Sequence, residues 1–436
     1  MKEIKVGLLG FGTIGAGVVK LLNQNSSIIE QKTGARISLK SIGDLDITTD
    51  RGVSTEGIHL TKNADEILID PEISVVIELI GGYEPARSFV LKAISHGKHV
   101  VTANKALLAV HGEEIYAAAK AHNVEVLYEA AVGGGIPVLS AIKGNLAANS
   151  FSTVLGIVNG TCNYILTRMT QEGADFAEVL KSAQELGYAE ADPTFDIEGV
   201  DTAHKLCLLL SLCFGTRVDL KDIYSEGITS ISSEDVDFAK TFGYRIKLLA
   251  IGKRDGDRIE ARVHPTMIPV DYPLADVHGV FNAIRLTGDF VGPVMFYGRG
   301  AGMEATASAV IGDVVDLARN MEAGISRRCA PLGYLDENVS LLPIKPIGEI
   351  VSKYYIRFQA LDRPGVLARI AGVLGVGGIS IASMVQSARS ASETVPIVIM
   401  THEAREADIR RALTEIDGFD VIREKSTFIR IEDNLV

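Results

Sequence analysis

The segment that most constrains the fold is the N-terminal run KVGLLGFGTIGAGVV, in which an apolar strand passes into a helix through closely spaced glycines. Gly10, Gly12 and Gly15 have the spacing G-x-G-x-x-G. In such a turn the first glycine permits a sharp bend, the second admits a pyrophosphate, and the third lets helix and strand pack closely. The helix N-terminus then offers amide donors to phosphates. The predicted dinucleotide contacts are Gly10, Phe11, Gly12, Thr13, Ile14 and Gly15.

Apolar runs alternate with helical stretches over residues 1–135, which is the context that this glycine pattern requires. The runs are IKVGLLG, ISLKSIG, SVVIELIG, HVVTAN and VEVLYEA, with GIHL as a weaker strand. Continuously apolar strands are typical of a parallel sheet with helices on both faces. The polar insert NQNSSIIEQKTGAR is expected to lengthen the first crossover. We therefore predict an α/β, Rossmann-type dinucleotide-binding domain.

The rest of the chain divides into three segments. Residues 136–322 combine helical stretches (FAEVLKSAQELG, DTAHKLCLLLSLCFG and DVDFAKTFGYRIKLLAIG) with strand-like runs (RIEARVHPTMIP and AIRLTGDFVGPVMFYG), which predicts a mixed α+β domain. A small-residue helix near 302–320 is expected to return to the first domain. Residues 323–352 are irregular and contain prolines, as linkers do. Residues 353–436 read as strand, helix, two strands, helix and strand, which predicts a ferredoxin-like unit.

The bulk composition excludes several functional classes. A net charge of −12 without a long basic run argues against nucleic acid as a partner. No apolar run reaches the roughly 18–20 residues of a membrane span, and the N-terminus enters a strand without the features of a signal peptide. The 4 cysteines form no C-x-x-C pair and no zinc-binding spacing. We therefore expect a reduced, cytoplasmic protein.

The stretch EADPTFDIEGVDTAHK, from Glu190 to Lys205, places a cluster of carboxylates directly before the apolar run LCLLLSLCF. Asp201 and Lys205 are four residues apart, so a helix would carry them on one face. They form either a surface pair worth roughly 0.2–0.5 kcal/mol or part of a site. In a partly desolvated cleft, a lysine beside a carboxylate can deliver a proton to a forming alkoxide.

Four more residues are candidates for ligand contacts, each with an alternative. Lys105 follows a strand at the sheet edge where ligands bind, but it also suits a solvated helix start. Glu129, before three glycines, could bind a hard cation together with carbonyl oxygens, or the run could be a hinge. Asp44 after the second strand would favour NAD, whereas Arg51 would accept the 2′-phosphate of NADP, and the sequence leaves both open.

Taken together, the motifs resemble homoserine dehydrogenase over residues 1–320. The matching segments, in the order of that family, are GLLGFGTIG, VTANKALLA, YEAAVGGGIPV, VNGTCNYIL, EADPTFDIEGVDTAHKL and GAGMEATASAV. The C-terminal unit, with ALDRPGVLARIAGVL, resembles an ACT domain, and no aspartate kinase segment precedes the dehydrogenase. The resemblance implies that NAD(P)H reduces L-aspartate 4-semialdehyde to L-homoserine, a step toward threonine, methionine and isoleucine.

The resemblance also implies roles for individual residues. Lys205 matches the proton donor to the aldehyde oxygen, and Asp201 and Glu190 match residues that hold the amino-acid end. Lys105 matches a lysine near nicotinamide and substrate, and Gly302 matches a residue on the nicotinamide side. A monovalent cation, sodium or potassium, would be held by Glu129 and the carbonyls of Val132, Gly134 and Ile136. In the acidic stretch, Asp196 is a further substrate candidate, but we expect Asp192, Asp196 and Glu198 to be partly structural, as helix caps and partners of loop donors.

In the ACT-like unit the loop LDRPGVL matches the position where such domains bind small amino acids. Asp362 is expected to cap the following helix, Pro364 to stand in its first turn, and Gly365 to let a ligand approach. Threonine is the effector that the resemblance implies. The run GVGGISI lacks the polar residue that ACT loops often carry, so a module used only for dimerisation is the alternative. Both domain types usually pair, so we expect a homodimer or homotetramer.

Two other functional classes remain open from the sequence. One is a sensor that binds a dinucleotide and an amino acid without catalysis, against which the intact Lys205, Asp201 and Glu190 argue. The other is an ACT-bearing 2-hydroxyacid dehydrogenase, which would pair a histidine with a carboxylate. His204 and His264 are the candidates for that histidine, but neither lies in a matching motif.

Overall fold

The computed structural model describes residues 2–386 and 394–433. Ser387, the end of the predicted strand run ISIASMVQS, lies outside the described residues. The strands are β1 (Lys2–Leu9), β2 (Ala35–Gly43), β3 (His59–Thr61), β4 (Ile73–Glu78), β5 (His99–Thr102), β6 (Val126–Leu127), β7 (Phe151–Ile157), β8 (Tyr224–Ser225), β9 (Tyr244–Asp255), β10 (Arg258–Pro269), β11 (Phe281–Gly288), β12 (Gly292–Arg299), β13 (Val351–Leu361), β14 (Ile381–Gln386), β15 (Thr394–Thr401), β16 (Ala404–Arg405) and β17 (Thr427–Ile431). The α-helices are α1 (Thr13–Thr33), α2 (Asp65–Leu68), α3 (Ala86–Ser95), α4 (Lys105–Ala121), α5 (Val138–Lys143), α6 (Gly160–Glu172), α7 (Phe176–Glu185), α8 (Thr194–Ile197), α9 (Val200–Phe214), α10 (Ser233–Thr241), α11 (Met303–Glu322), α12 (Val366–Val376) and α13 (Glu406–Asp417).

The chain forms two units, each with contacts concentrated within itself. The first unit comprises Met1–Gly160, Thr202–Asp222 and Phe281–Leu342. The second unit comprises Thr161–Asp201, Ile223–Val280 and Pro343–Val436. The chain therefore passes from one unit to the other several times.

The first unit is built on a parallel sheet in the order β3-β2-β1-β4-β5-β6. The strand order reverses direction between β1 and β4, and in such sheets ligands bind at the carboxyl ends of the strands beside that point. The central strand β1 buries Ile4, Val6 and Leu8 against Val18 and Val19 of α1. The predicted Rossmann-type domain is confirmed, including the weak strand β3.

Two further features complete the first unit. The polar insert extends α1 to 21 residues, which lengthens the first crossover as predicted. Helix α11 packs along α1 because Gly17 lets Met303 and Ala307 come close; a β-carbon on Gly17 would lie only 2.7 Å from the Met303 side chain. Strands β7, β11 and β12 form an antiparallel group, with β11 in the middle.

The second unit contains a sheet in the order β9-β10-β17-β13-β15-β14. Its C-terminal part follows the order β13, α12, β14, β15, α13 and β17, which confirms the predicted ferredoxin-like arrangement. The helices pack on one face of this sheet, where Ile356, Phe358, Ile370 and Ile409 are fully buried.

One predicted helix is wrong. The run DVDFAKTFGYRIKLLAIG was expected to be helical throughout, but α10 ends at Thr241 and the chain then turns at Gly243, whose φ is +79°. From Tyr244 it forms β9, which pairs with β10 along its whole length as an antiparallel hairpin. An apolar run of this length suits a buried strand as well as a buried helix, and the partner strand decides between them. The sequence interpretation also missed β7 and α6.

Within the part of the chain that is described, no helix combines the length and the apolar character needed to cross a bilayer.

Candidate active site

The glycine turn after β1 has the geometry of a phosphate-binding loop. Gly10 has a φ of +98°, its N–H donates to the Gly43 carbonyl at 2.9 Å, and an added β-carbon would lie 2.7 Å from the Leu79 backbone. The space around Gly12 is open. Helix α1 begins at Thr13 without a side-chain cap at its N-terminus. First-turn amides without a capping side chain fit the pyrophosphate of a dinucleotide.

Asp44 lies beside this turn and holds its backbone. Its Oδ2 accepts the N–H of Phe11 at 2.5 Å and its Oδ1 accepts the N–H of Asp46 at 2.8 Å. Arg51 contacts the same loop, with Nη2 at 3.0 Å from Asp46 Oδ2. Hydrogen bonds, first from Thr49, hold the pKa of Asp46 below its usual range. The structure therefore brings Asp44 to the glycine turn and Arg51 to Asp46.

Lys105 is the first residue of α4 and is half-buried. The residue before it, Asn104, caps the helix by accepting the N–H of Leu107 at 3.1 Å. The Asn104 side chain also donates to the Gly82 carbonyl at 2.7 Å, which ties α4 to the loop after β4. Lys105 thus starts a firmly fixed helix at the carboxyl edge of the sheet.

Glu78 is a residue at this edge that the sequence interpretation did not select. It is fully buried at the end of β4, and its Oε2 accepts the hydroxyl of Thr102 at 2.6 Å. Its Oε1 accepts the N–H groups of Ile80 and Gly81 at 2.8 and 3.1 Å. The sequence signal for Glu78 was an acidic residue within the apolar run SVVIELIG.

Glu129 uses both carboxylate oxygens on the backbone of α5. Oε1 accepts the N–H of Leu139 at 2.8 Å and Oε2 accepts the N–H of Ser140 at 2.6 Å. The Glu129 N–H donates to Asp313 Oδ2 at 2.8 Å. Burial raises the pKa of the Glu129 side chain, while the two N–H donors lower it. Glu129 therefore caps helix α5. Its remaining lone pairs are left for other ligands.

The glycine loop after Glu129 lies against the turn that carries Gly302. The Gly135 N–H donates to the Arg299 carbonyl at 3.1 Å. At Gly134 a β-carbon would lie 2.4 Å from the Gly300 carbonyl oxygen, so only glycine allows this approach. A donor set of one carboxylate and the carbonyls of Val132, Gly134 and Ile136 is all oxygen, which suits a hard cation. The Ile136 carbonyl already accepts the Val138 N–H at 2.8 Å.

Lys205 lies on α9, and its Nζ donates to the carbonyl of Val158 at 2.7 Å. Val158 directly follows β7, so an element missed from the sequence positions this lysine. The helix forms because its apolar residues are buried, whereas Lys205 itself is half-buried. Asp201 is one turn earlier on the same helix and only 3% exposed. Burial of that carboxylate argues against the simple surface pair.

The acidic residues before α9 have structural roles in the second unit. Asp192, Asp196 and Glu198 accept hydrogen bonds from nearby hydroxyl and amide donors, as predicted, but the N-cap of α8 is Pro193, without a side-chain cap. The bonds are Thr194 N and Oγ1 to Asp192 (3.1 and 2.6 Å), Thr161 Oγ1 to Asp196 (3.3 Å) and Thr229 Oγ1 to Glu198 (3.2 Å). Glu190, in contrast, is exposed. The cluster thus contains helix and loop supports beside an accessible carboxylate.

The loop between β13 and α12 differs in detail from its prediction. The helix begins at Val366 with Gly365 at the N-cap, so Asp362 and Pro364 lie before its first turn. Gly365 is exposed and has a φ of +90°, which side chains rarely adopt. Asp362 and Pro364 therefore precede the turn at Gly365 and do not start the helix as predicted.

Of the two candidate histidines, His264 lies beside an arginine. His264 is fully buried, and its Nε2 lies 2.9 Å from Nη1 of Arg262. Burial, together with Arg430 and Arg262, holds the pKa of His264 well below its usual range. His204 is 2% exposed on α9. The ring of His264 contacts Arg262, the Pro265 carbonyl and the Thr266 hydroxyl, which does not match the histidine–carboxylate pair of a 2-hydroxyacid dehydrogenase.

Comparison with protein families divides the chain into three parts. The model of the homoserine dehydrogenase NAD-binding domain matches residues 10–129. The homoserine dehydrogenase model matches residues 137–315. The ACT domain model matches residues 354–419.

Similar proteins align over nearly the whole chain. The homoserine dehydrogenase of Neisseria gonorrhoeae is 44% identical, with 99% of each chain covered. That of Pseudomonas aeruginosa is 45% identical, again with 99% of each covered. The crystal structure of a homoserine dehydrogenase from Thiobacillus denitrificans is 46% identical, covers 99% of each chain and superposes with a TM-score of 0.94.

Proposed function

The chain belongs to the homoserine dehydrogenase family of NAD(P)-dependent oxidoreductases and carries a C-terminal ACT domain, and we propose that it interconverts L-aspartate 4-semialdehyde and L-homoserine. The step would serve threonine, methionine and isoleucine biosynthesis. One observation carries the proposal beyond the family match. It is the ammonium group of Lys205, held at 2.7 Å by the Val158 carbonyl on a largely apolar helix.

Lys205 is proposed as the proton donor to the aldehyde oxygen. When bound, the reduced nicotinamide supplies the hydride that reaches the aldehyde carbon. Negative charge then grows on the carbonyl oxygen, and a preorganised ammonium group stabilises it better than mobile water does. The bond to Val158 supports this role because it fixes the direction in which Nζ points. Asp201 and Glu190, with Asp196 as a further candidate, are proposed to hold the substrate ammonium group.

The cofactor contacts are proposed from the glycine turn. The amides from Phe11 to Gly15 would receive the pyrophosphate, and Lys105 and Gly302 would flank the nicotinamide. The open space at Gly12 supports this assignment. Glu129, with the carbonyls of Val132, Gly134 and Ile136, is proposed to hold sodium or potassium.

Substitution of Lys205 tests the proposed chemistry. We expect Lys205→Met to lower kcat about 10²–10⁴-fold, the usual contribution of a general acid, with a smaller effect on cofactor KM. The measurement is NADH and NADPH oxidation with L-aspartate 4-semialdehyde in the presence of sodium or potassium. Lys221→Met is the matched control because Lys221 is 76% exposed and forms a surface ion pair with Asp219.

Either of two results would contradict the proposed role of Lys205. One is an unchanged kcat in Lys205→Met. The other is an equal loss in Lys221→Met, which would indicate a general effect of removing positive charge. A thermal unfolding curve like that of the unsubstituted chain excludes misfolding as the cause of a lower kcat.

The choice of cofactor depends on Asp44 and Arg51. Asp44 would bind a ribose hydroxyl of NAD, whereas Arg51 would bind the 2′-phosphate of NADP. Arg51→Leu is expected to raise KM for NADPH while leaving KM for NADH unchanged if NADP is the natural cofactor. Equal effects on both values would remove Arg51 from the cofactor contacts.

Feedback inhibition by threonine through the ACT domain, residues 353–436, is also proposed. The exposed left-handed turn at Gly365, beside Asp362, supports it as a place where a small amino acid can reach the backbone. Gly365→Asn keeps a backbone that asparagine tolerates and adds a side chain there. We expect it to raise the threonine concentration needed for half-inhibition. Unaltered sensitivity would move the effector site elsewhere or leave the domain as an assembly module.

Assembly and location complete the proposal. We propose a homodimer or homotetramer because the edge strand β12 exposes Met295 and Tyr297, at 41% and 52%. Light scattering after size-exclusion chromatography measures the mass directly, and a monomer would contradict the proposal.

The cytoplasm is proposed as the location because the cysteines form no disulfide among the described residues.

A further inference from the structure

Asn282 is a polar residue in the buried part of strand β11. It is only 1% exposed, and the next two residues of the strand, Ala283 and Ile284, are fully buried. Asparagine is depleted in strands, because its short amide competes for hydrogen bonds with the backbone. The presence of an amide at this buried position therefore needs an explanation beyond the strand itself.

The Asn282 amide has no hydrogen-bond partner among the residues that the structure describes. Neither the donor Nδ2 nor the acceptor Oδ1 is paired, although both atoms are buried. Such a group lowers the stability of the fold, because it has lost its hydrogen bonds to water and gained none in return. Most buried polar groups in proteins are paired, and the exceptions are concentrated at functional or strained sites.

The neighbours of Asn282 belong to the proposed active site. Strand β11 lies between β7 and β12. Ala283, next to Asn282 in the chain, pairs with Ile157 at the end of β7. The carbonyl that holds Lys205 belongs to the following residue, Val158. On the other side of β11, strand β12 leads directly into the turn before α11.

The amide packs against this turn, which consists of residues 300–302. A β-carbon on Gly300 would lie 2.1 Å from Cγ and Nδ2 of Asn282, so the turn backbone covers the amide directly. Gly302 has a φ of +112°, and both it and Ala301 are exposed. A turn with two glycines and an exposed side can shift through small changes in backbone angles. Such a shift brings backbone N–H and C=O groups of the turn within reach of the amide.

We propose that Asn282 is a positioning residue of the reaction: on cofactor binding the turn of residues 300–302 shifts, its backbone hydrogen-bonds the Asn282 amide, and Gly302 is thereby fixed on the nicotinamide side. The inference rests on the proposed function, which places Gly302 beside the nicotinamide. Because the amide is unpaired in the free chain and paired in the complex, it favours the cofactor-bound arrangement.

Replacement by leucine, which has a similar shape but no polar atom, tests this role. Removal of an unpaired amide leaves no other group without a partner, so we expect cofactor-free Asn282→Leu to unfold at the temperature of the original chain or above it. Asn320→Leu is the matched control. Asn320 is 5% exposed, but its Nδ2 donates to Glu125 Oε1 at 3.2 Å, so this variant should unfold at a lower temperature.

Cofactor binding should respond in the opposite sense. NADPH and NADH are titrated separately, and binding is followed by nicotinamide fluorescence. We expect the Kd of Asn282→Leu to be about three- to tenfold higher than that of the original chain, the effect of losing one hydrogen bond. The Kd of Asn320→Leu should be unchanged. Asn282→Ala, which removes the amide without adding bulk, should weaken binding to a similar extent and replaces the leucine variant if that variant does not fold.

Two results would overturn the role of Asn282. A loss of thermal stability in Asn282→Leu as large as that in Asn320→Leu would show that the amide has partners in the free chain. An unchanged Kd in the Asn282 variants would show that it gains none in the complex. Turnover of the original chain with L-aspartate 4-semialdehyde is measured alongside. If the original chain neither binds cofactor nor turns over, the proposed function fails; if it does both and the variants bind equally well, only the role of Asn282 fails.

Discussion

Gly12 and Gly15 belong to the same glycine turn, yet the structure constrains them differently. No atom lies within 4 Å of the position that a β-carbon on Gly12 would occupy. At Gly15 the added carbon would lie 2.2 Å from the Gly10 carbonyl oxygen, which is backbone and cannot move aside. The space beside Gly12 is therefore open, whereas Gly15 is required for packing.

A pair of alanine substitutions separates these two reasons. We expect Gly12→Ala to unfold like the original chain but to bind NAD(P)H more weakly, because the methyl group occupies the approach of the pyrophosphate. Gly15→Ala should lose stability, by at least about 1–3 kcal/mol as for other overpacked sites. Thermal unfolding and cofactor titration measure both. Equal stability of the two variants would contradict this division.

Asp313 is a second side chain whose environment predicts a measurable effect. Burial raises its pKa to about 8, whereas an unfolded aspartate titrates near about 4. The folded state therefore favours the protonated form. Stability from this group is present below about pH 4 and is lost as the pH rises toward about 8.

Asp313→Asn should remove that pH dependence while retaining an oxygen that can accept the Glu129 N–H. We expect the difference in unfolding free energy between pH 5 and pH 8.5 to be smaller in Asp313→Asn than in the original chain. Denaturant titration at the two pH values measures it. The comparison is needed because burial also raises the pKa of Glu129. An identical pH dependence would show that Asp313 ionises normally.

At the scale of secondary-structure elements, α10 and β13 are joined through buried charges. Asp235, fully buried, closes the capping box of α10 with Ser232. Arg357 of β13 reaches the same carboxylate with Nε–Oδ1 at 2.7 Å and Nη2–Oδ2 at 3.0 Å, and Tyr355 donates to it at 3.0 Å. One carboxylate thus caps a helix and joins it to the first strand of the ACT domain.

Removal of Arg357 should therefore be costly. Breaking a buried ion pair by deleting one partner usually costs about 3–5 kcal/mol, and we expect Arg357→Met to fall in that range. The control is Arg369→Met, since Arg369 and Asp420 form an exposed pair, 48% and 79% accessible, of the kind worth about 0–1 kcal/mol. Denaturant unfolding compares them. A similar small loss in both variants would contradict the structural role of Asp235.

In the second unit as a whole, the strands of the ACT domain share one sheet with β9 and β10. Strand β17 pairs with β10 through Thr266–Arg430 and Met267–Ile431. Glu432 then accepts Arg262 Nη2 at 2.6 Å, and both side chains are at most 5% exposed. Strand β17 therefore belongs to the same sheet as β10, and Glu432, which follows β17, neutralises the buried Arg262.

Deletion of residues 351–436 should consequently damage the second unit and not merely its regulation. We expect the shortened chain, in which Arg262 loses Glu432 and Asp235 loses Arg357, to unfold at a lower temperature or aggregate. Circular dichroism with heating measures this. A truncated chain as stable as the full one would contradict the prediction and would make deletion a fair test of threonine sensitivity. Otherwise Gly365→Asn is the better test.

Local rules account for what could be predicted from the sequence. The glycine turn, the alternation of strands and helices, and the order of elements in the ACT domain depend on periodicity and turn residues close together in the chain. Asp201 and Lys205 were selected in the same way, from their spacing of four residues, and Lys105 from its place at a strand end, whereas the roles of Glu190 and Gly302 came from the family resemblance. These features carry their information within one or two elements.

Contacts between distant segments could not be predicted in this way. Lys205 donates to a carbonyl 47 residues away, and Arg357 reaches Asp235 across 122 residues. The same is true of β9, whose apolar run became a strand because β10 pairs with it. Periodicity reports which face of an element is apolar but not which element covers it. Strand pairing and side-chain packing in the folded chain therefore decided where these residues lie.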